Sequence, residues 1–217
     1  MLPTEPVRPL QDVWLRPRRV IRELSARPIG VVDYLLGSAQ GVATWLAVSR
    51  IQELGASKSV EEIIARAFVI GPPLGVATLF LLSAIYARLA NRAGAGPTRT
   101  QMFHVLAYGG VPIVASLGIW LVTALLVGET TFVDTPRPDL EGFAALLLQA
   151  QIIAQTVLFF WNVLLQVMGL SEIQGVTPGR AFLVWLLGQV LGALAMTLIA
   201  IVLVALGLKL AIGPAAG

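Results

Sequence analysis

Five apolar segments, each about long enough to cross a bilayer, follow one another along this chain with only short polar joints between them. They run over about 30–49, 68–90, 103–127, 143–169 and 182–207. A bilayer core takes roughly 20 consecutive apolar residues of helix. The expected fold is therefore all-α, a polytopic membrane protein with a bundle of five transmembrane helices. Composition agrees: 12% of the residues are charged, about half the roughly 25% usual for soluble domains. The segments consume most of the length and leave no room for a soluble domain. The longest polar stretch, residues 1–28, is too short to bury a core of its own. The expected division is an N-terminal arm, 1–28, and a membrane domain, 29–217.

The chain has no cysteine, which excludes disulfides, thiolate metal sites, cysteine nucleophiles and palmitoylated cysteine anchors. Its net charge of +3 does not indicate nucleic-acid binding, because the basic residues are distributed by membrane side. A cleavable leader is not expected either. The first apolar run lies behind an arginine-rich arm and is longer than the 7–15 residues typical of a signal core.

Five spans put the termini on opposite sides. With the N-terminus inside, the inner set holds Arg8, Arg16, Arg18, Arg19, Arg22, Arg27, Arg88, Arg92, Arg99 and Arg180. The outer set holds Arg50, Lys58, Arg66, Arg137 and Lys209, with the acids Glu53, Glu61, Glu62, Glu129, Asp134, Asp139 and Glu141. Lysine and arginine excess in short loops marks the cytoplasmic side. The charges predict a cytoplasmic N-terminus and an external C-terminus.

Within the arm, Leu10, Val13, Trp14, Pro17, Val20, Ile21 and Leu24 recur with helical spacing, while Arg16, Arg18, Arg19, Arg22 and Glu23 take the other sides. Pro17 kinks this helix or starts a second short one. A basic amphipathic helix with a tryptophan suits the headgroup layer, where anionic lipids attract each arginine by about 1 kcal/mol. It serves as a topology anchor or as a docking surface for a cytoplasmic partner.

Polar residues inside apolar segments cost free energy, so their placement is informative. In the fourth segment Gln151, Gln155, Asn162 and Gln166 fall within an arc of roughly 60° at about 100° per residue. In the first, Asp33, Gln40 and Thr44 share a face with Gly37 between them. These two stripes are expected to face each other or a common polar cavity. They are either interhelical hydrogen-bonding groups or the lining of a hydrated substrate or proton path. An ion site made by Asp33 with amide oxygens is a further, weaker alternative. The pairs Gly188/Gly192 and Gly71/Gly75 allow close helix approach and are expected to serve packing within the monomer. Gly71-Pro72-Pro73 is expected to break or kink the second helix. Ahead of it, Ser59 and Glu62 read as a capping box for a short amphipathic helix leading into that span.

No catalytic constellation emerges. Glu61-Glu62 with Arg66 matches the opening pattern of CAAX-type intramembrane proteases, but those enzymes need several histidines and this chain has His104 alone. The acids also precede the apolar run, as a solvated charge cluster would. His104 reads as a hydrogen-bonded interfacial histidine, and alone it makes no metal site of several histidines. Nucleophile-elbow, Walker and dinucleotide motifs are missing. Neither an enzyme nor a bound cofactor is expected.

Three stretches together resemble the Yip family (Ypt-interacting membrane proteins) in its bacterial branch. The first is Val13-Trp14-Leu15-Arg16-Pro17-Arg18 running into Ile21-Arg22-Glu23-Leu24. The second is Gly94-Ala95-Gly96 followed by Met102-Phe103-His104-Val105-Leu106-Ala107-Tyr108 and Pro112. The third is Trp161 followed by Gly169-Leu170-Ser171-Glu172-Ile173-Gln174-Gly175-Val176-Thr177-Pro178-Gly179-Arg180-Ala181. The resemblance spans about 13–207. It implies a five-helix bundle with a cytoplasmic N-terminus and, for the bacterial branch, a fold without a settled activity. Eukaryotic relatives bind Rab-type GTPases and act in vesicle trafficking through oligomeric membrane complexes; their longer cytoplasmic N-terminal regions and their Asp-Leu-Tyr-Gly-Pro-type motif have no counterpart here.

In the joint 171–181, Gly175 suits a turn, and Thr177-Pro178 caps and starts the fifth helix. Glu172 is expected to pair with Arg180 or with an arginine of the arm. Arm and joint would form one cytoplasmic face, with Trp14, Arg18, Arg22, Glu172, Gln174 and Arg180 as candidate docking residues. The leading expectation is a non-enzymatic inner-membrane protein of the Yip type that organises or binds other membrane components. Its expected partners are the bilayer, anionic lipids at the arm, and a membrane-protein partner or a second copy. The alternative is a small transporter or channel subunit, with a polar path between the first and fourth helices.

Overall fold

A computed structural model describes residues 7–92, 96–133 and 142–205. Gly94, Ala95, Asp134, Arg137, Asp139, Glu141 and Lys209, and the end of the fifth apolar segment, lie outside the described residues. The described chain is helical: α1 (Pro9–Asp12), α2 (Pro17–Leu24), α3 (Val31–Ile51), α4 (Val60–Arg92), α5 (Arg99–Gly109), α6 (Val111–Val127), α7 (Phe143–Gln174) and α8 (Pro178–Ala205). Five stretches are long and apolar enough to cross a membrane: α3, α4, α5 with α6, α7, and α8. The chain is thus an all-α protein with five candidate spans.

The spans alternate in direction. The arm, the end of α4, the start of α5, the end of α7 and the start of α8 gather at one end, called here the arm end. At the other end, the turn Leu54–Ala56 packs against the turn Gly128–Phe132. Neighbour relations close a ring in the order α3–α4–α8–α7–α6 and back to α3. α5 does not join this ring. It plugs the arm end, touching α2, α3, α4 and α7, and every residue from Met102 to Gly109 is buried.

Local sequence explains these elements. Thr98 and Gln101 form a reciprocal capping box that starts α5, with Gln101 N–H to Thr98 Oγ1 at 3.2 Å and Thr98 N–H to Gln101 Oε1 at 2.8 Å. The third span, expected as one helix from 103, therefore begins earlier. It also divides at Gly110, because Pro112 lacks an N–H and sits in the first turn of α6. α7 ends at Gly175 in the left-handed region at φ 63°, and α8 starts at Pro178 as the Thr177-Pro178 pair implies.

Of the break or kink expected at Pro72-Pro73, the break does not occur. α4 runs unbroken from Val60 to Arg92 with both prolines inside, and the short helix expected from Ser59 is simply its first turns. Two backbone donors are lost there, yet the helix is held by a seam of glycines against α3. A Cβ on Gly41 would lie 2.7 Å from Gly75 Cα, and one on Gly71 would lie 2.6 Å from Val42 Cα. Gly188 meets the Tyr86 ring and Gly192 meets Leu82. Both glycine pairs thus serve contacts within the monomer. The Ser59–Glu62 capping box is half formed: Ser59 Oγ accepts Glu62 N–H at 3.3 Å, while the Glu62 carboxylate turns to Lys58 and Arg66.

The arm also departs from expectation. Pro17 starts a second helix, as one of the two readings held. However, the apolar face expected in the headgroup layer is packed on protein. Val13, Val20, Ile21 and Leu24 are all at most 4% exposed and join the core formed by α4, α5 and α7. The reason is geometric. α5 is too short to fill its end of the ring, and α2 covers the apolar surface that remains.

Candidate functional site

Between the ring helices lies a chamber of about 730 Å³ to which all five spans contribute. Gln40 and Thr44 come from α3, Thr78 from α4, Ser116 and Trp120 from α6, Gln155, Asn162 and Gln166 from α7, and Trp185 and Gln189 from α8. Five of the seven residues expected in an intramembrane polar cluster (Gln40, Thr44, Gln155, Asn162 and Gln166) thus meet around one space. The helical spacing of each stripe brings this about. From Gln155 to Gln166 the lining follows α7 for about 16 Å of helix rise.

The arm-side floor of the chamber is cross-linked. Gln40 Nε2 donates to the Ala107 carbonyl at 2.9 Å, fixing α3 to α5. Gln166 Nε2 donates to Asn162 Oδ1 at 3.0 Å, and Gln166 Oε1 accepts the Trp185 indole N–H at 2.8 Å. Tyr86 O–H donates to the Trp185 carbonyl at 2.8 Å and accepts from Gln189 Nε2 at 3.0 Å. This network joins α4, α7 and α8. Trp185, Tyr86 and Gln189 were not among the sequence candidates. Gln189 was visible as the only amide in the fifth apolar segment, whereas the Trp185 and Tyr86 contacts depend on the packing of α4 against α8.

The other two cluster candidates lie elsewhere. Gln151 is 2% exposed but does not line the chamber, and neither atom of its amide has a partner among the described residues. Asp33 belongs to a separate buried pair that ties α3 to the plug. Its Oδ1 meets His104 Nδ1 at 2.7 Å, its Oδ2 accepts Gly30 N–H at 2.8 Å, and His104 Nε2 reaches the Arg27 carbonyl at 3.1 Å. A carbonyl only accepts, so Nε2 carries a hydrogen and the remaining proton is shared between Nδ1 and Asp33. His104 is hydrogen-bonded as its position suggested. The partners that Asp33 meets are thus an imidazole and a backbone amide, and not the amide oxygens of the α7 stripe. Among the described residues no cluster of metal-ligating side chains forms around the pair.

The arm and the 171–181 joint do form one surface. Arg22 Nη2 meets Glu172 Oε1 at 2.7 Å, one of the two pairings expected for Glu172. The carboxylate raises the already high pKa of the Arg22 guanidinium. Arg18 and Arg180 are exposed. Trp14 is half-buried against the core. Gln174 is 7% exposed, so it is not available on this face as expected. It sits on the inward side of the last turn of α7, one turn from the buried Leu170.

The carboxylates of the arm end are occupied. Asp12 accepts Arg8 N–H, Glu23 binds Arg19, Asp33 binds His104, and Glu172 binds Arg22. Exposed Arg16, Arg18, Arg27, Arg88, Arg92 and Arg180 surround them with no carboxylate partner among the described residues.

Searches against protein-family models, curated proteins and solved structures gave no match to the chain.

Proposed function

We propose that the protein is a non-enzymatic inner-membrane protein of the Yip type that binds and organises other membrane components through its arm end. In this reading the arm lies in the cytoplasm and the C-terminus outside, as the loop charges favour. The observation that carries it is the exposed arginine surface of arm, α4 end and joint, whose neighbouring acids are already paired. Such a surface fits anionic headgroups, with each arginine near them contributing about 1 kcal/mol. A protein partner or a second copy with an acidic face would be recognised by the same charges.

In-cell crosslinking, followed by purification in native lipid particles and mass spectrometry, tests this reading. Arg18→Glu together with Arg180→Glu should deplete anionic lipid or remove a crosslinked partner. Arg22 is left intact because its loss also loosens the arm. An unchanged lipid and partner profile would sink the proposal. Active alkaline phosphatase fused at the C-terminus supports the orientation, and an inactive, stably inserted fusion refutes it.

The chamber favours a second reading, a small transporter. α5 separates the chamber from the arm end, so the path would need an alternating movement and not an open pore. Liposome flux lost in Gln155→Leu and Gln166→Leu, with the fold intact, would support it.

A further inference from the structure

Among the described residues no charged side chain lines the chamber: the lining is made of amides, hydroxyls, indoles and hydrocarbon. An ion brought there would lose its hydration without a counter-charge, at a cost of several kcal/mol. An uncharged molecule with a small polar group meets no such penalty. Hydrocarbon is supplied by Leu74, Leu79, Leu82, Leu106, Ile113 and Met196. The aromatic walls are Trp120, Phe159 and Trp185. Thr44 and Phe159 are exposed lining residues, so the chamber is open to its surroundings, whereas the buried α5 shuts it toward the arm. Its volume lies within the roughly 300–1,000 Å³ typical of small-molecule sites.

Among the described residues, one buried polar atom of the lining lacks a protein partner. Gln155 Nε2 is buried with no hydrogen bond among the described residues. Buried donors in native structures are nearly always satisfied. Turned into the chamber, this amide would give a ligand carbonyl the bond that the protein does not supply. The neighbouring Asn162–Gln166–Trp185 network is already formed and holds the floor without needing a ligand.

We propose that the chamber is a binding site for an uncharged, carbonyl- and hydroxyl-bearing membrane amphiphile of the diacylglycerol type, entering from the bilayer. Its polar group is held at the level of Gln155, and its chains follow the apolar wall. This does not depend on the Yip reading or on orientation, since only the chamber lining enters the argument.

Protein purified in lipid nanodiscs is titrated with brominated dioctanoylglycerol while tryptophan fluorescence is followed, because Trp120 and Trp185 border the site. Saturable quenching is expected, with unbrominated dioctanoylglycerol competing and dioctanoyl phosphatidic acid failing to compete. Gln155→Leu should weaken binding roughly fivefold to tenfold, the value of one lost hydrogen bond. Thr78→Phe, which fills the chamber, should abolish saturable quenching while leaving the unfolding temperature unchanged or raised. Non-saturable quenching, equal competition by the phosphatidic acid, or wild-type binding by a folded Thr78→Phe protein would each overturn the proposal. The Arg18 and Arg180 variants should bind the probe normally, so failure here and failure of the arm-face reading are separable.

Discussion

The two ends of the bundle are built differently. At the arm end α2, α3, α4 and α7 converge on α5, and many of the largest fully buried side chains, among them Phe103, Met102, Leu106, Ile21 and Leu170, sit there. Toward the other end α3, α4 and α6 remain packed around Trp45, Leu46, Ile63 and Phe132. α7 and α8 do not close on them. Only 6% of the most apolar window of α7 is buried, against 44% for α3, and the space left between them is the chamber. A membrane bundle gains little from burying leucine out of lipid. It is therefore tight where small residues, a buried carboxylate–imidazole pair and an inserted helix force contact. Where none of these operates, it stays loose.

That contrast predicts where substitutions hurt. The largest effect is expected for His104→Leu, which strands the Asp33 carboxylate in the arm-end core and should cost about 3–5 kcal/mol. The double variant Asp33→Leu/His104→Leu should recover most of that loss in nanodisc unfolding. A double variant as unstable as the single would show that the helix cap on Gly30, and not charge pairing, dominates. Next comes Gly75→Leu in the α3–α4 seam, where overpacking against Gly37 and Gly41 should cost about 1–3 kcal/mol. Thermal unfolding within a degree of wild type would contradict the close approach of these helices.

Gln166→Leu removes the floor network and is expected to cost about 0.6 kcal/mol, at most about 1.7, as interhelical hydrogen bonds in membranes do. The exposed Arg22–Glu172 pair ranks last. Arg22→Ala should change global stability by less than about 1 kcal/mol, while increasing proteolytic cleavage of the arm. If Gln166→Leu proved as damaging as His104→Leu, the distinction between a solid end and a loose end would fail.

Much of this was readable before folding was considered. Five long apolar runs give five helical spans, since hydrocarbon leaves a chain few alternatives. Gln155, Asn162 and Gln166 lie on one face because 3.6 residues make a turn, and the same period aligns Gln40 with Thr44. Their meeting in one chamber followed from placing two polar stripes in an apolar setting. The same spacing misled at Asp33 and Gln151, which share the stripes in projection but sit at depths the chamber does not reach. The arm shows another limit: its amphipathic pattern is the same whether the apolar face meets lipid or protein.

The sequence by itself determined what depends on neighbours along the chain: the five helical spans, the caps at Thr98 and Gly175, and which residues share a helical face. Tertiary structure alone decided which faces met. His104 found Asp33 across 71 positions, Arg22 found Glu172 across 150, and α5 left the ring to become a plug that α2 could cover. Periodicity encodes the direction in which a side chain points. It does not encode what stands opposite, because that depends on how tightly the helices approach, and here glycines set that distance along the α3–α4 seam while the loose fit of α7 and α8 left the chamber open.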